Sequence, residues 1–554
     1  MPTIKSYNKR LEALRSERSS FIPVYQSLSD YHLAARGRFL TSDRNKGYQH
    51  LQNQYNNTSR MAARTMAAGM MAGITSPARP WFKLQCANVE LNEYSAVKRW
   101  LNDVQTIMYR VFSQSNAYNA LHTVYSELGV FGTAPMGVYF DYENVIRCRP
   151  YTVGSYMIGA NGLSEIDTFY LEYEKTVGQL IKEYGAEKCS SAVNDQWKRG
   201  NTEAWVPIVH AIEPNDDRDS QSPWAKDKKF RSVYYETSTK GDQTLFLNES
   251  GFDEFPILAP RWDVTGEDIY ATSCPGMDAL GDAKALQLGE KRKYQALDMI
   301  VRPPMQGDVS LKTQIGGNLE PGQIVWVDGQ NQGVKSIYEG FRPDLNAMVS
   351  LNQEVEQRVK RTFYEDLFLM MINSDRRQIT AREVAEKQEE KLLMLGPVLE
   401  RLHNELLDPL IDRTFSILQR AGVLPPPPPE MNGVEMSVQY VSILAQAQRM
   451  VAVGGLERLT GFATEIAQIW PDSRHKYDAQ QALDEYAEAM GVNPRVVRGD
   501  DEVKEIIAAE QQQQQAAMMQ EQAAQMAQTA KTVSDTSIGE DNALGIALKN
   551  SGLM

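Results

Sequence analysis

Positions that share one helical face recur every three or four residues from Ser6 to Ala72, through Leu11, Leu14 and Arg18 and then Val24, Leu28 and Tyr31. The spacing predicts two or three N-terminal helices, broken near Pro23 and Gly37. Within that stretch Met61 to Gly73 is rich in Ala, Gly and Met, which allows close helix approach. Ser76-Pro77-Ala78-Arg79-Pro80-Trp81-Phe82 then stops the helix, because each proline disfavours helix at the residue before it. A further helix is predicted from Tyr94 to Gln114, with Val97, Leu101, Val104, Met108 and Val111 on one face.

From Gly137 the period switches to two. Strand-like runs occupy 138–142, 145–149, 155–158 and 166–173, with a hairpin turn expected at Asn161-Gly162. A short helix over Val177–Tyr184 precedes more strand-like runs at 205–212, 232–236, 244–247 and 255–260, so 137–262 reads as a mixed, sheet-containing domain. Gly276 to Val301 then reads as one long, rather polar helix ended by Pro303-Pro304. A small domain of strands and glycines follows to Gly340, with Gln323 to Val327 as its clearest strand.

Pro343 opens a second long helix, whose apolar face runs through Met348, Leu351, Val355, Val359, Phe363, Leu367 and Met370. After the polar loop Asn373-Ser374-Asp375-Arg376-Arg377-Gln378-Ile379, a capping box at Thr380 and Glu383 starts a third helix toward Ala421. It would be about 63 Å long, with a kink expected at Gly396-Pro397. Gly422 and Pro425 to Pro429 end it. A strand over 434–444 and helices to about Glu510 then predict a separate C-terminal domain, with the prolines as a stiff spacer. Gln511 to Gln528 is Gln, Ala and Met rich and is expected to fray into a disordered tail.

Length sharpens the picture, since 554 residues allow about three or four domains. No uncharged run reaches the ~18 apolar residues of a membrane span, and Met1 to Arg10 is polar, with no secretory signal after it. Four scattered cysteines without a CxxC fit reduced structural thiols. The formal charge of −13 argues against a tight clamp on duplex DNA. Charge is also uneven: residues 1–64 hold 11 basic and 4 acidic side chains, and residues 500–554 hold 3 and 9.

Familiar catalytic patterns are missing. There is no GxxxxGK[ST], GxGxxG after a strand, HExxH or GxSxG, and the six histidines stand isolated, so no cofactor and no metal site is expected. The nearest cluster is Asp216-Asp217-Arg218-Asp219. Asp216, Asp217 and Asp219 could in principle bind two Mg²⁺ for phosphodiester hydrolysis, but such sites need acids from separate elements, and a solvated acidic turn is the simpler reading. The basic clusters best placed for a polyanion are Arg376-Arg377 in the polar loop and Lys291-Arg292-Lys293 in the first long helix. Pro80-Trp81-Phe82 reads as packing.

Four phrases carry a resemblance: Gly73-Ile-Thr-Ser-Pro-Ala-Arg-Pro-Trp-Phe82, Gly132-Thr-Ala-Pro-Met-Gly-Val138, Cys274-Pro-Gly-Met-Asp-Ala-Leu-Gly-Asp282 and Gln378-Ile-Thr-Ala-Arg-Glu-Val384. Together with the order of elements, they resemble the portal, or head-to-tail connector, proteins of short-tailed, podovirus-type bacteriophages, over nearly the whole chain. The resemblance implies a mainly helical α+β subunit of a dodecameric ring at one capsid vertex. DNA would pass through its channel at packaging and ejection, and a separate terminase would supply the ATPase.

On this resemblance 1–275 is the wing, 276–301 and 343–372 the two stem helices and 302–342 the clip. Residues 373–379 are then the tunnel loop, 380–424 a long kinked wing helix, and 425–510 the crown, with 511–554 a flexible tail. Implied partners are other copies of the chain, double-stranded DNA, the terminase large subunit, major capsid and scaffolding proteins, and tail adaptor and internal core proteins. The implied place is the virion, after assembly in the host cytoplasm, with no membrane. A non-enzymatic role follows from the resemblance; a phosphodiesterase and a non-channel tail or scaffold component are the competing readings.

Overall fold

Helix α1 (Ile4–Arg18) starts at a capping box, in which Thr3 Oγ1 accepts from the Ser6 N–H and Ser6 Oγ accepts from the Thr3 N–H. Its three-four spacing buries Ile4, Tyr7, Leu11 and Leu14. α2 (Ile22–Tyr31) carries Pro23 in its first turn, where a missing N–H costs nothing, so the proline starts this helix. α3 (Thr58–Gly73) holds the small-residue segment, β1 (Phe82–Cys86) follows the proline corner, and α4 (Ser95–Gln114) and α5 (Ala117–Phe131) complete the helical layer. Trp81 and Phe82 are buried against Tyr109 and Phe112, so the corner is packing. The computed structural model describes residues 3–40, 54–87, 91, 94–219, 221–222, 224–237, 245–308, 324–327, 335–337, 344–369, 395–431, 436–440, 459–466, 469–470, 476–479, 481–483, 486 and 500–534.

Two sheets follow. β2 (Met136–Asp141) and β3 (Val145–Pro150) form a hairpin, and β4 (Tyr156–Ala160) and β5 (Ile166–Thr176) a second one. Asn161-Gly162 marks this second turn, although the left-handed backbone sits at Ser164 (φ 62°). The loop is held by Asn161, whose Oδ1 accepts the N–H of Leu163 (2.9 Å) and Glu165 (3.1 Å). Helices α6 (Val177–Tyr184) and α7 (Ser191–Lys198) precede β6 (Trp205–Pro214), β7 (Phe230–Glu236), β8 (Asn248–Phe252) and β9 (Ile257–Leu258). β4 to β8 form an antiparallel meander in sequence order, while β9 joins β2 and β3.

The period of two gives the meander two faces. Met157, Tyr170, Val209 and Tyr235 pack beneath α1, while Ile158, Phe169, Leu171 and Ile212 enter the opposite core with Tyr151 and Tyr270.

α8 (Pro275–Val301) is the first long helix; β10 (Met305–Asp308), β11 (Ile324–Val327) and β12 (Lys335–Ser336) then make a small sheet in the order β11-β10-β12. α9 (Leu345–Thr362) is the second long helix. The sequence predicts it unbroken to 372, yet it stops at Phe363, and Tyr364 takes a left-handed φ of 53° before residues 365–369 turn helical again. Burial of Phe363, Leu367 and Phe368 on the helical layer holds this break in place.

In the third long helix, residues 395–402 are helical, His403–Leu407 form a π turn, and α10 runs Asp408–Arg420. The irregularity falls just before Pro409, whose missing N–H removes a ladder bond; the kink expected at Gly396-Pro397 adjoins residues before Leu395 that lie outside the described residues. Arg261 clasps Glu405 of the π turn (Nη2 to Oε1 2.6 Å), and Arg413 donates to the Val138 carbonyl at 2.7 Å.

The strand expected over 434–444 is β13 (Met436–Tyr440), and it pairs antiparallel with β1, Phe82 opposite Tyr440. Trp100 Nε1 donates to the Pro425 carbonyl at 3.0 Å. The proline run and β13 are thus fastened to the N-terminal helical layer. α11 (Asp500–Ser534) continues through the Gln-rich segment expected to fray.

Candidate functional site

The hairpin of α8 and α9 is built from an anchored root, a polar middle and a bare end. At the root, three of the four distinctive phrases of the sequence meet around α5. Gly276 lies so close to Val130 that a Cβ there would stand 2.4 Å from the Val130 carbonyl oxygen, and Cys274 Sγ donates to the same carbonyl at 3.1 Å. Gly132, at φ 78°, terminates α5, and its carbonyl accepts from the Trp262 N–H at 2.7 Å. Thr75 Oγ1 and Tyr125 OH are 3.0 Å apart, which brings in the proline-corner phrase. The fourth phrase, 378–384, lies outside the described residues.

His32 is buried beside this root. Its Nδ1 is hydrogen-bonded to Ser59 Oγ, and its ring stands edge-on to Phe363 at 5.6 Å. Burial pushes its pKa down to about 4. Phe368 packs against Gly69, where a Cβ would come within 2.2 Å. The segment just after the α9 break is therefore seated on a glycine of α3.

The helices run antiparallel, since Asp282 meets Arg358 (3.0 Å) and Glu290 meets Asn352 (2.8 Å). Ala279, Ala283, Leu286, Val355 and Val359 are buried toward the root. The middle turns polar: Asn352 donates to Glu290 Oε1, Lys293 pairs with Glu290 at 2.6 Å, and a Cβ at Gly289 would stand 2.4 Å from Asn352 Oδ1. Gln287 Oε1 accepts the N–H groups of Tyr55 (2.7 Å) and Asn56 (3.0 Å), while Asn56 Nδ2 donates to Glu356 at 2.8 Å. Buried polar groups that find their partners fix a single register between the helices.

Beyond Lys293 a run of large apolar side chains stands exposed. Tyr294, Leu297, Ile300 and Val301 on α8 and Leu351 on α9 are exposed, Val301 to 68%. Lys291 and Arg292 are also exposed, on the same helix, whereas Lys293 is half-buried against Glu290. The hairpin is thus a rigid arm, completed inside and bare at its far half.

A model of the bacteriophage head to tail connecting proteins matches residues 4–497. The "Probable portal protein" of Bordetella phage BPP-1 is 44% identical, covering 96% of this chain and 95% of its own length. The chain belongs to the bacteriophage head-to-tail connecting family. Within that family the "Portal protein" of Salmonella phage epsilon15 is 42% identical, over 97% of this chain and 96% of its own length. Among solved structures, the virion of a native gene transfer agent particle gives a TM-score of 0.32 at 12% identity, covering 85% of this chain and 99% of that one. That likeness is too slight to bear on this chain's fold.

This connector-family chain is a phage portal protein, mixed in helix and strand. Among its described residues no helix is long and apolar enough to cross a membrane. Asn373, Ser374, Asp375, Arg376, Arg377, Gln378 and Ile379 lie outside the described residues. Asp216, Asp217 and Asp219 are exposed on one loop, and among the described residues no group of three or more His, Cys, Asp or Glu is arranged to hold a metal ion. The phosphodiesterase reading gains no geometric support.

Sequence reasoning missed the polar seam of Gln287, Glu290 and Asn352. Its signal was present: Asn352 and Glu356 interrupt the apolar face of α9, opposite a glycine one step from a glutamate.

Proposed function

We propose that the chain is the subunit of a closed, dodecameric ring at one capsid vertex, and that double-stranded DNA passes its central channel at packaging and at ejection. One observation carries the reading: α8 and α9 are locked in register by a buried polar seam, yet expose a run of large apolar side chains over their far half. A stiff hairpin with such a face is completed by other copies, and a head-to-tail contact that closes gives a ring.

In this reading 276–301 and 343–372 are the stem, 302–342 the clip that meets the terminase large subunit and then the tail adaptor, and 1–275 the wing. Residues 380–424 continue the wing, and 425–510 are the crown toward the capsid, scaffolding and internal core proteins. The tunnel loop 373–379 supplies Arg376 and Arg377, and α8 supplies Lys291, Arg292 and Lys293, as a sparse basic lining. Sparse contacts suit sliding, because each fixed phosphate contact adds to the grip and many would hold DNA still. The chain acts without chemistry of its own, and a separate terminase turns over ATP.

Negative-stain images of the purified protein test this. Closed rings support it, and fibres or monomers overturn it. Arg376→Ala with Arg377→Ala is expected to leave rings intact while assembled heads retain less nuclease-protected DNA; full retention would remove these arginines from the channel role.

A further inference from the structure

A cavity of about 310 Å³ opens where α10 meets β2 and β8. Arg413 is the most buried of its charged side chains, 6% exposed. Its Nε donates to the Val138 carbonyl at 2.7 Å and its Nη1 to the Glu254 carbonyl at 3.2 Å, and these two bonds fasten α10 to the strands. Nη2 has no hydrogen-bond partner among the described residues, while the guanidinium lies 5.5 Å from the centre of the Phe252 ring. Burial pulls the pKa of Arg413 down to about 10, as expected of a cation short of countercharge. Holding the helix in place accounts for two nitrogens of this group and leaves the third over.

Lys228 and Arg420 also line the cavity, and Asp253 stands 2.8 Å from Lys228 and 3.8 Å from Arg420. Glu254 pairs with Arg420 at 3.0 Å and with Arg413 at 3.4 Å. Three cations thus meet two carboxylates. The surplus is a single positive charge, which one further carboxylate neutralises and a phosphate group, with nearly twice the charge, would overshoot. Phe140, Phe252 and Ile417 supply apolar walls, so the group that fits is a carboxylate carried on an apolar body.

The cavity continues into an exposed aromatic edge. Phe140 is 49% exposed and stands edge-on to Tyr142 at 4.9 Å, and Tyr142, at the tip of the β2–β3 hairpin, is 94% exposed. Aromatic side chains around a desolvated arginine are the anchors of protein–protein contacts, and a small molecule held inside the cavity would leave Tyr142 bare.

We propose that this cavity and the Phe140–Tyr142 edge form a docking site for an acidic peptide segment of another protein. One Asp or Glu carboxylate of the segment binds Arg413 Nη2 between Lys228 and Arg420, and a neighbouring aromatic or aliphatic side chain packs on Phe140 and Tyr142. All of these residues belong to one subunit, so the proposal does not depend on ring closure.

The test titrates the full-length protein against amidated, fluorescein-labelled decapeptides, each with one Glu flanked by Phe, Tyr, Leu or Gly in a Gly/Ser background, and against the same panel with Gln in place of Glu. At least one Glu peptide with apolar flanks should bind tenfold or more tightly than both its Gln twin and the Gly-flanked Glu peptide. Phe140→Ser with Tyr142→Ser alters two exposed side chains and should weaken that binding at least fivefold, as should Arg420→Gln, with thermal unfolding unchanged in each. Equal binding of Glu and Gln peptides, binding that survives both variants, or no binding by any peptide overturns the proposal. 3-Phenylpropionate serves as the competitor: displacement of the best peptide at millimolar concentrations or above agrees with a peptide site, and binding as tight as that of the peptide assigns the cavity to a free acid and overturns it.

Discussion

The five-stranded sheet and the outer half of the α8–α9 hairpin are opposite solutions within one chain. The sheet has both faces covered by its own subunit: Tyr170 and Val209 lie under α1, and Phe169 and Ile212 lie in a core closed by Tyr151, Tyr156 and Tyr270. The hairpin satisfies its polar groups internally at Glu290 and Asn352 and then leaves Leu297, Val301 and Leu351 in the open. The first region is stable because the chain is folded. On the ring reading proposed above, the second is finished by other copies of the chain, and that difference separates what a single chain does from what an assembly does.

The sharpest test of the self-sufficient half is Phe169→Ala. The ring is fully buried and stands 4.9 Å from that of Tyr151, so removing it should cost about 3–5 kcal/mol of subunit stability. Urea unfolding should show this equally in isolated subunits and in assembled protein. A loss below about 1 kcal/mol would mean that the sheet, too, relies on assembly.

The converse test is Leu297→Asp with Val301→Asp. Both side chains are exposed in the subunit, so its unfolding midpoint should move by no more than about 0.5 kcal/mol. Sizing chromatography and microscopy should nevertheless show rings replaced by monomers. Intact rings would place the subunit contact elsewhere.

Acid should weaken the sheet. His210 is buried, stacked on Tyr234 at 3.9 Å, and burial holds its pKa down to about 3. The unfolded chain binds this proton near pH 6.5 and the folded one does not, so stability falls as pH drops from about 6.5 toward 3. By pH 5 the loss is about 2 kcal/mol. Glu127 works the other way: burial raises it to about 7, so its penalty is relieved on acidification, equally in both proteins compared. The stability difference between pH 7 and pH 5 should therefore change by about 2 kcal/mol in His210→Gln relative to the parent chain. Identical pH slopes would refute the assignment.

The smallest effect belongs to the seam. Asn352→Ala leaves Glu290 with Lys293 as its remaining side-chain partner among the described residues and should cost about 1–2 kcal/mol. Thermal unfolding of the subunit measures it, and a neutral result would show that the register is set by the apolar root alone.

Local signals made much of this fold readable. The run from Pro275 to Val301, bounded by prolines on both sides, and the hairpin at Asn161-Gly162 were both legible because each is decided within a few residues. Tyr364 was not. Its left-handed backbone is imposed by burial of Phe363 and Phe368 against the α2–α3 layer, and no glycine or proline announces it. The π turn before Pro409 had no signal that was read in the sequence. The candidate site divides in the same way. The length and polar character of α8 were legible, whereas the Glu290–Asn352 contact depends on how two distant helices are set against each other.

The pairing of β1 with β13 was the least readable of all, and it has a consequence for how the subunit is made. Gln85 and Gln439 hydrogen-bond across 354 positions of sequence, so two five-residue strands close a noose around most of the polypeptide. Drawing shut a flexible noose of that length costs about 5 kcal/mol in chain entropy beyond the constant term, more than two short strands return. The knot-free way to tie it is to fold everything inside first, which shortens the effective span to almost nothing. The clasp is therefore expected to close last, once the chain between the two strands has folded.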